Sequence, residues 1–185
     1  MAVDGLGNVY IADAGRRVIR LVEGSSGRIS TFAGTGASGD SGDGGPATAA
    51  RFVNPVAVAV DGLGAVYVVD SGAHRVRKID AGIIEPVAGV GSPGVSGDGG
   101  LALQAALNNP RGVAIAPDGS LFIADAGNDR LRLVSTEGLM SSLASGGALP
   151  SPQGVAVGAD GQPFVIDFQR AQVLRVDRVS GAVTA

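Results

Sequence analysis

Apolar residues in this chain gather into short runs separated by Gly, Asp, Asn and Pro, and the runs recur as a set. One set reads NPRGVAIAPDGSLFIADAGNDRLRLV over residues 109–134. Related text stands at residues 1–22 (MAVDGLGNVYIADAGRRVIRLV), 54–79 (NPVAVAVDGLGAVYVVDSGAHRVRKI) and 151–176 (SPQGVAVGADGQPFVIDFQRAQVLRV). In the second set the runs are Val56–Val60, Val66–Val69, Arg75–Ile79 and Ile83–Ala88. Their length, and the lack of apolar spacing at 3.6 residues, predicts strands rather than helices. The first run alternates large and small (Val56, Ala57, Val58, Ala59, Val60), which suits a crowded centre. The second is apolar almost throughout (Leu121-Phe122-Ile123-Ala124), the pattern of a strand covered on both faces.

Each second run ends in an Asp: Asp13, Asp70, Asp125 and Asp167. Their spacings are 70−13 = 57, 125−70 = 55 and 167−125 = 42, so a unit of 42 residues carries an insertion in its first two intervals. Tandem units of about 40–50 residues with four strands each are the sequence form of a β-propeller. Asp-Gly pairs (Asp4-Gly5, Asp61-Gly62, Asp118-Gly119, Asp160-Gly161) join the first run to the second, and positive φ is expected at these glycines. The expected organisation is an all-β propeller segment of about four blades, as an open arc or a small closed ring. Its approximate blades are 1–34, 54–89, 109–146 and 151–185, with Gly/Asp-rich insertions at 35–53 and 90–108. Met1 aligns with Val58 inside a first strand, and Ser180–Ala185 aligns with Ser26–Thr31, so a longer propeller is expected, with end blades prone to self-association.

Composition narrows the function classes. Fourteen basic against seventeen acidic residues, a net charge of −3, argue against a nucleic-acid surface. No apolar run is long enough for a membrane helix. Without cysteine there is neither a disulfide nor a thiolate metal site. Lys78 is the single lysine among fourteen basic residues, an arginine bias that points to GC-rich codons and a bacterial source. An extracytoplasmic or secreted bacterial location is the expectation that goes with it.

The run Gly42-Asp43-Gly44-Gly45-Pro46, then Asn54-Pro55, Val58-Ala59-Val60-Asp61-Gly62, Val66-Tyr67-Val68-Val69-Asp70 and His74-Arg75-Val76-Arg77-Lys78 resembles NHL-repeat propellers. It is most similar to the long-repeat bacterial kind, whose repeats also resemble the NHL region of teneurins. The resemblance implies a propeller, usually of six blades, commonly serving protein interaction. Some members bind RNA, and one branch is a zinc-dependent peptidyl-amidating lyase. The fourth copy departs from the pattern: Phe168-Gln169-Arg170 replaces the Gly-containing turn, and no Gly-Asp-Gly-Gly insertion precedes it.

In a meander, the second-to-third loop and the blade-to-blade connection leave the same end of the sheet. That end is the candidate binding surface, for a protein or small ligand. Its residues are Asp40, Asp43 and Asp98 from the insertions, with Arg17, His74, Arg75, Asn128, Asp129 and Arg130 from the turns. Calcium is the one ion to weigh against Asp40, Asp43 and Asp98, although no dense Asp-x-Asp-x-Asp run is present, and no other cofactor is expected. The glycines of Gly34–Gly39 and Gly89–Gly94 match G-x-G-x-x-G, but in an all-β context that lacks the helix of a dinucleotide site. His74 is the single histidine, too few for a catalytic zinc centre built within this chain. Asp13, Asp70, Asp125 and Asp167, like Arg20, Arg77 and Arg132, recur in successive units, which suits a structural role better than an asymmetric catalytic one. The expected function is a non-catalytic binding or scaffold module; the alternative is part of a propeller enzyme, a metal-dependent lyase or lactonase type.

Overall fold

Short apolar runs bounded by turn residues form sixteen strands among the described residues, and their ladder hydrogen bonds close within each repeat. The structure, a computed structural model, describes residues 1–145 and 147–185. Blade one holds β1 (Ala2–Val3), β2 (Val9–Asp13), β3 (Val18–Val22) and β4 (Ile29–Ala33). Blade two holds β5 (Pro55–Val60), β6 (Val66–Asp70), β7 (Arg75–Asp80) and β8 (Ile83–Ala88). Blade three holds β9 (Gly112–Ile115), β10 (Leu121–Asp125), β11 (Arg130–Val134) and β12 (Met140–Ser145). Blade four holds β13 (Pro152–Val157), β14 (Pro163–Asp167), β15 (Gln172–Val176) and β16 (Val183–Thr184). Each is an antiparallel meander in sequence order, so the fold is an all-β propeller of four four-stranded blades. No α-helix occurs among the described residues; the insertions contribute only single 3₁₀ turns at Ala47–Ala49 and Ala102–Gln104.

The first-to-second-strand turn differs from expectation in its detail. Positive φ falls on Gly7, Gly64, Gly119 and Gly161. In blades one and two these stand two residues after the Asp-Gly pair; Gly5 and Gly62 do not adopt it. The physical reason is the Asp side chain. Asp61 Oδ1 accepts from the amides of Leu63 (3.0 Å) and Ala65 (2.9 Å), and its carbonyl accepts from Gly64, so the loop wraps around the carboxylate and places the left-handed residue at its end. Only Asp118-Gly119 and Asp160-Gly161 use their own glycine for it.

Successive blades bury their faces against one another. One core cluster joins Tyr10, Ile19 and Ala33 of blade one to Val66, Val68, Ile79 and Ile84 of blade two. A second joins Val69, Val76 and Ala88 to Leu121, Ile123, Val134 and Met140. A third joins Phe122, Leu131 and Ala144 to Val165 and Val176. The innermost strands β1, β5, β9 and β13 pack in that order about the axis. Blades two and three are therefore covered on both faces. Blade one has an open face that carries Ile11 and Arg20, and blade four one that carries Ile166 and Val173.

Candidate functional site: insertions clipped by buried arginines

The most unusual side chains in the molecule are two arginines buried in an apolar protein. Arg77 on β7 and Arg132 on β11 are almost wholly removed from solvent. A buried guanidinium is tolerated only where its charge and its donors are matched. The insertion ahead of each blade supplies most of the match; of the two guanidinium groups only Arg132 Nε is buried with no hydrogen-bond partner among the described residues. Arg77 Nε donates to Asp43 Oδ1 at 2.7 Å, Nη1 to the Arg51 carbonyl at 2.9 Å and Nη2 to the Ser41 carbonyl at 2.9 Å. Its guanidinium also lies 5.2 Å from the centre of the buried Phe52 ring. Arg132 Nη2 donates to Asp98 Oδ1 at 2.9 Å and to the Ser96 carbonyl at 3.0 Å, while Nη1 lies 3.4 Å from Asp125 Oδ2. In both blades the β-ladder shifts register beside the arginine, between Val76 and Arg77 and between Leu131 and Arg132.

The insertions follow the seam instead of remaining wholly at one end of the blades. The first part of each touches a second-to-third-strand turn: in the second insertion the Gly94 carbonyl accepts from Asn128 Nδ2 at 2.7 Å, and in the first the Gly36 backbone lies against that of Arg16. The middle then reaches round to the start of the outer strand. Gly44 donates to the Ile84 carbonyl and Ala47 to Gly82; in the next repeat Gly99 donates to Met140 and Ala102 to Gly138, each at 2.8 Å.

The carboxylates singled out from the sequence are engaged within this framework. Asp43 faces Arg77 and also lies 3.5 Å from Arg75. Asp40 lies 3.2 Å from Arg75 Nε, and Arg75 donates onward to the Val90 carbonyl at 3.2 Å, so one arginine bridges the two insertions. Asp98 collects Arg132, Ser142 at 3.2 Å and Arg130 at 3.8 Å. No group of three or more His, Cys, Asp or Glu side chains stands together as a metal cage among the described residues.

His74 and Asp129 occupy one structural slot, as do Arg17 and Ala171. All four adopt left-handed backbone, with φ of 52–55°. The His74 ring accepts the Asn109 amide on Nδ1 at 3.0 Å, and Asp129 Oδ1 accepts the Ser151 amide at 2.7 Å. Each side chain thus holds the start of the next blade, across 35 and 22 residues. Asn128 also donates to Asp125 Oδ2 at 2.8 Å.

The repeated carboxylates sit at the other side of the same junction. Asp70 takes the Val53 and Asn54 amides at 2.9 and 2.7 Å, and Asp125 takes Asn108 at 2.8 Å. Burial pushes both carboxyls above the usual carboxylate value; these amides and the neighbouring arginines pull the other way. Asp13 and Asp167 instead accept the Arg16 and Arg170 amides, both at 3.0 Å, and pair with those side chains.

Sequence reasoning missed the pairing of Arg77 and Arg132 with the insertions. The available signal was a constant spacing, since Asp43–Arg77 and Asp98–Arg132 are each separated by 34 residues. It also missed the exposed apolar residues of the second insertion: Val95, Leu101 and Leu103, with Leu139 bridging to Leu101.

Comparison with known proteins places this geometry among relatives. Residues 91–149 match the family described as the Teneurin NHL domain, and residues 52–79 match the NHL repeat. Human Teneurin-1 is 50% identical over 40 residues, which cover 22% of this chain and 2% of that protein. The probable peptidyl-alpha-hydroxyglycine alpha-amidating lyase pgal-1 of Caenorhabditis elegans is 36% identical over 77 residues, 42% of this chain and 21% of the lyase. Among solved structures, a chain of the Nidogen/Laminin complex superposes with a TM-score of 0.73 at 18% identity, over all of this chain and 60% of that one. The chain spans a small part of the curated relatives and somewhat over half of this solved neighbour. The two curated relatives are animal proteins, whereas the arginine bias pointed to a bacterial source.

Proposed function

The chain belongs to the NHL-repeat β-propellers, and on that premise we propose that it is a protein-binding module whose contact surface is built by the two insertions and the turns beside them. The observation that carries this reading is preorganisation. Arg77 and Arg132 hold the insertions from inside, so the loops need little further ordering when a partner arrives. Apolar groups at Val95, Leu101 and Leu103 stay exposed on that frame, and exposed apolar groups on a rigid loop are what a protein partner buries. The test is selection of binding peptides from a displayed library. Peptides that lose binding to Val95→Asp or Leu101→Asp, and keep it with Leu63→Asp in the first-to-second-strand turn of blade two, support the surface. Peptides indifferent to the first two changes refute it.

A second reading follows from the lyase relative: the chain is part of a propeller enzyme whose catalytic residues come from further blades. Stoichiometric zinc or calcium retained by the purified protein through dialysis against chelator would favour it over the binding module.

A further inference from the structure

The open face of blade one carries a charge with no acidic partner, at a position where the other insertion-bearing blades have one. In blade two, Val66, Val68, Arg77, Ile79 and Ile84 form the face turned to blade one, and each is at most 1% exposed. In blade three, Leu121, Ile123, Arg132, Val134 and Met140 form the matching face, each at most 5% exposed. Register places Val9, Ile11, Arg20, Val22 and Ile29 in the same five positions of blade one. There the face is open, and Ile29 is 57% exposed. Arg20 contacts Thr31 and has no carboxylate within ion-pair distance among the described residues, although the ladder bulges beside it as it does beside Arg77 and Arg132. Asp13 likewise lacks the two incoming amides that Asp70 receives and turns to Arg16.

We propose that this face is a docking surface for a propeller blade followed by an insertion that carries an aspartate, with Arg20 as the receptor for that carboxylate. Charge selects this occupant over a second copy of the chain. The open face of blade four offers Ile166 and Val173 for apolar contact, but the charged side chain beside them is Arg175, whose partner Asp160 is already engaged at 3.1 Å. Stacking blade four of a second copy on blade one would bury Arg20 without a partner, a costly arrangement. Blade four itself shows that arginine and insertion go together. It lacks the insertion, and its corresponding residue is Leu174, buried on the side of blade four from which Val165 and Val176 pack against blade three.

The chain supplies its own test piece. Duplicating residues 54–112 ahead of Met1 adds a second-blade copy and the Asp98 insertion, and leads Gly112 into Met1, the residue that aligns with Val113. The extended chain is expected to melt roughly 5 °C or more above the natural one. Arg20→Leu should leave the natural chain's Tm within about 1 °C and lower that of the extended chain by several degrees. Asp98→Asn in the grafted copy alone should do the same, and the two changes together should cost less than their sum. A shorter extension of residues 90–112 covers the case in which the long one does not fold; slowed exchange of the Arg20 Nε–H is then the supporting result. Equal effects of Arg20→Leu in natural and extended chains overturn the proposal, as does unchanged Nε–H exchange in both extensions. Head-to-tail oligomers of the natural chain in sedimentation, indifferent to Arg20→Leu, would assign the face to a second copy instead.

Discussion

Removing the carboxylate that faces Arg77 should be among the costliest single changes at the blade-one to blade-two seam. In Asp43→Ala the guanidinium stays fully buried and loses the carboxylate oxygen that Nε meets at 2.7 Å and Nη2 at 2.5 Å. Breaking a buried ion pair from one side costs about 3–5 kcal/mol. Two features reduce the figure here. Arg77 keeps the Ser41 and Arg51 carbonyls at 2.9 Å, and the Asp43 side chain is itself 25% exposed, so water can reach the vacated side. The expected loss is about 2–3 kcal/mol, a large part of the roughly 5–15 kcal/mol that stabilises a typical domain. Urea denaturation followed by circular dichroism measures it, alongside Arg77→Leu and the double variant. The double variant should lose less than the sum of the singles by about 1–3 kcal/mol, because the carboxylate matters mainly when the guanidinium is there. A cost below about 0.5 kcal/mol for Asp43→Ala, or strict additivity, would refute the view that the insertion exists around the arginine.

Three further outcomes follow from the same geometry. Asp70→Ala leaves the Val53 and Asn54 amides without their acceptor and should cost about 1–3 kcal/mol, whereas Asp13→Ala breaks an exposed pair with Arg16 and an exposed bond from the Arg16 amide, which keeps the Asp13 carbonyl, and should cost under about 1 kcal/mol; thermal melts compare them. His74→Ala should lower Tm while His74→Asp should restore much of the loss, because Asp129 accepts the equivalent amide in the next blade. Acid titration of Tm should rise before it falls. The raised carboxyls of Asp70 and Asp125 contribute stability below their ordinary value of 3.8 that is lost as pH climbs through the higher folded value. The depressed carboxyls of Asp118, Asp160 and Asp177 contribute stability above 3.8 that is lost as pH falls below it. A steady decline of Tm from pH 6 downward would contradict this assignment.

Much of the scaffold was readable because it depends on periodic features. The fourth run of the second repeat, Ile83–Ala88, is β8 to the residue, and the apolar second runs of blades two and three are β6 and β10, the strands covered on both faces. Turn detail was not readable, since whether Gly62 or Gly64 takes positive φ is decided by where the Asp61 carboxylate finds amides. The site was harder for a related reason. Asp43 and Asp98 look like loop carboxylates aimed at solvent, and their partners lie 34 residues on, inside strands that read as apolar. The constant 34-residue spacing, and the joint loss in blade four with Leu174 in the arginine position and no insertion before it, carry the pairing in the sequence itself. His74 illustrates the opposite difficulty: a lone histidine draws attention as chemistry, yet its Nδ1 accepts a backbone amide, the duty that an aspartate performs one blade later.

The central claim is that the insertions are rigid parts of the blade seams and not loose loops. Native-state hydrogen exchange at the amides of Gly44, Ala47, Gly99 and Ala102 tests it most directly, because each donates across the seam to the outer strand or the turn that leads into it. The account predicts protection close to that of β6 and β10, with the protection at Gly44 and Ala47 lost in Asp43→Ala. Exchange at the rate of an open loop in the natural chain would contradict it.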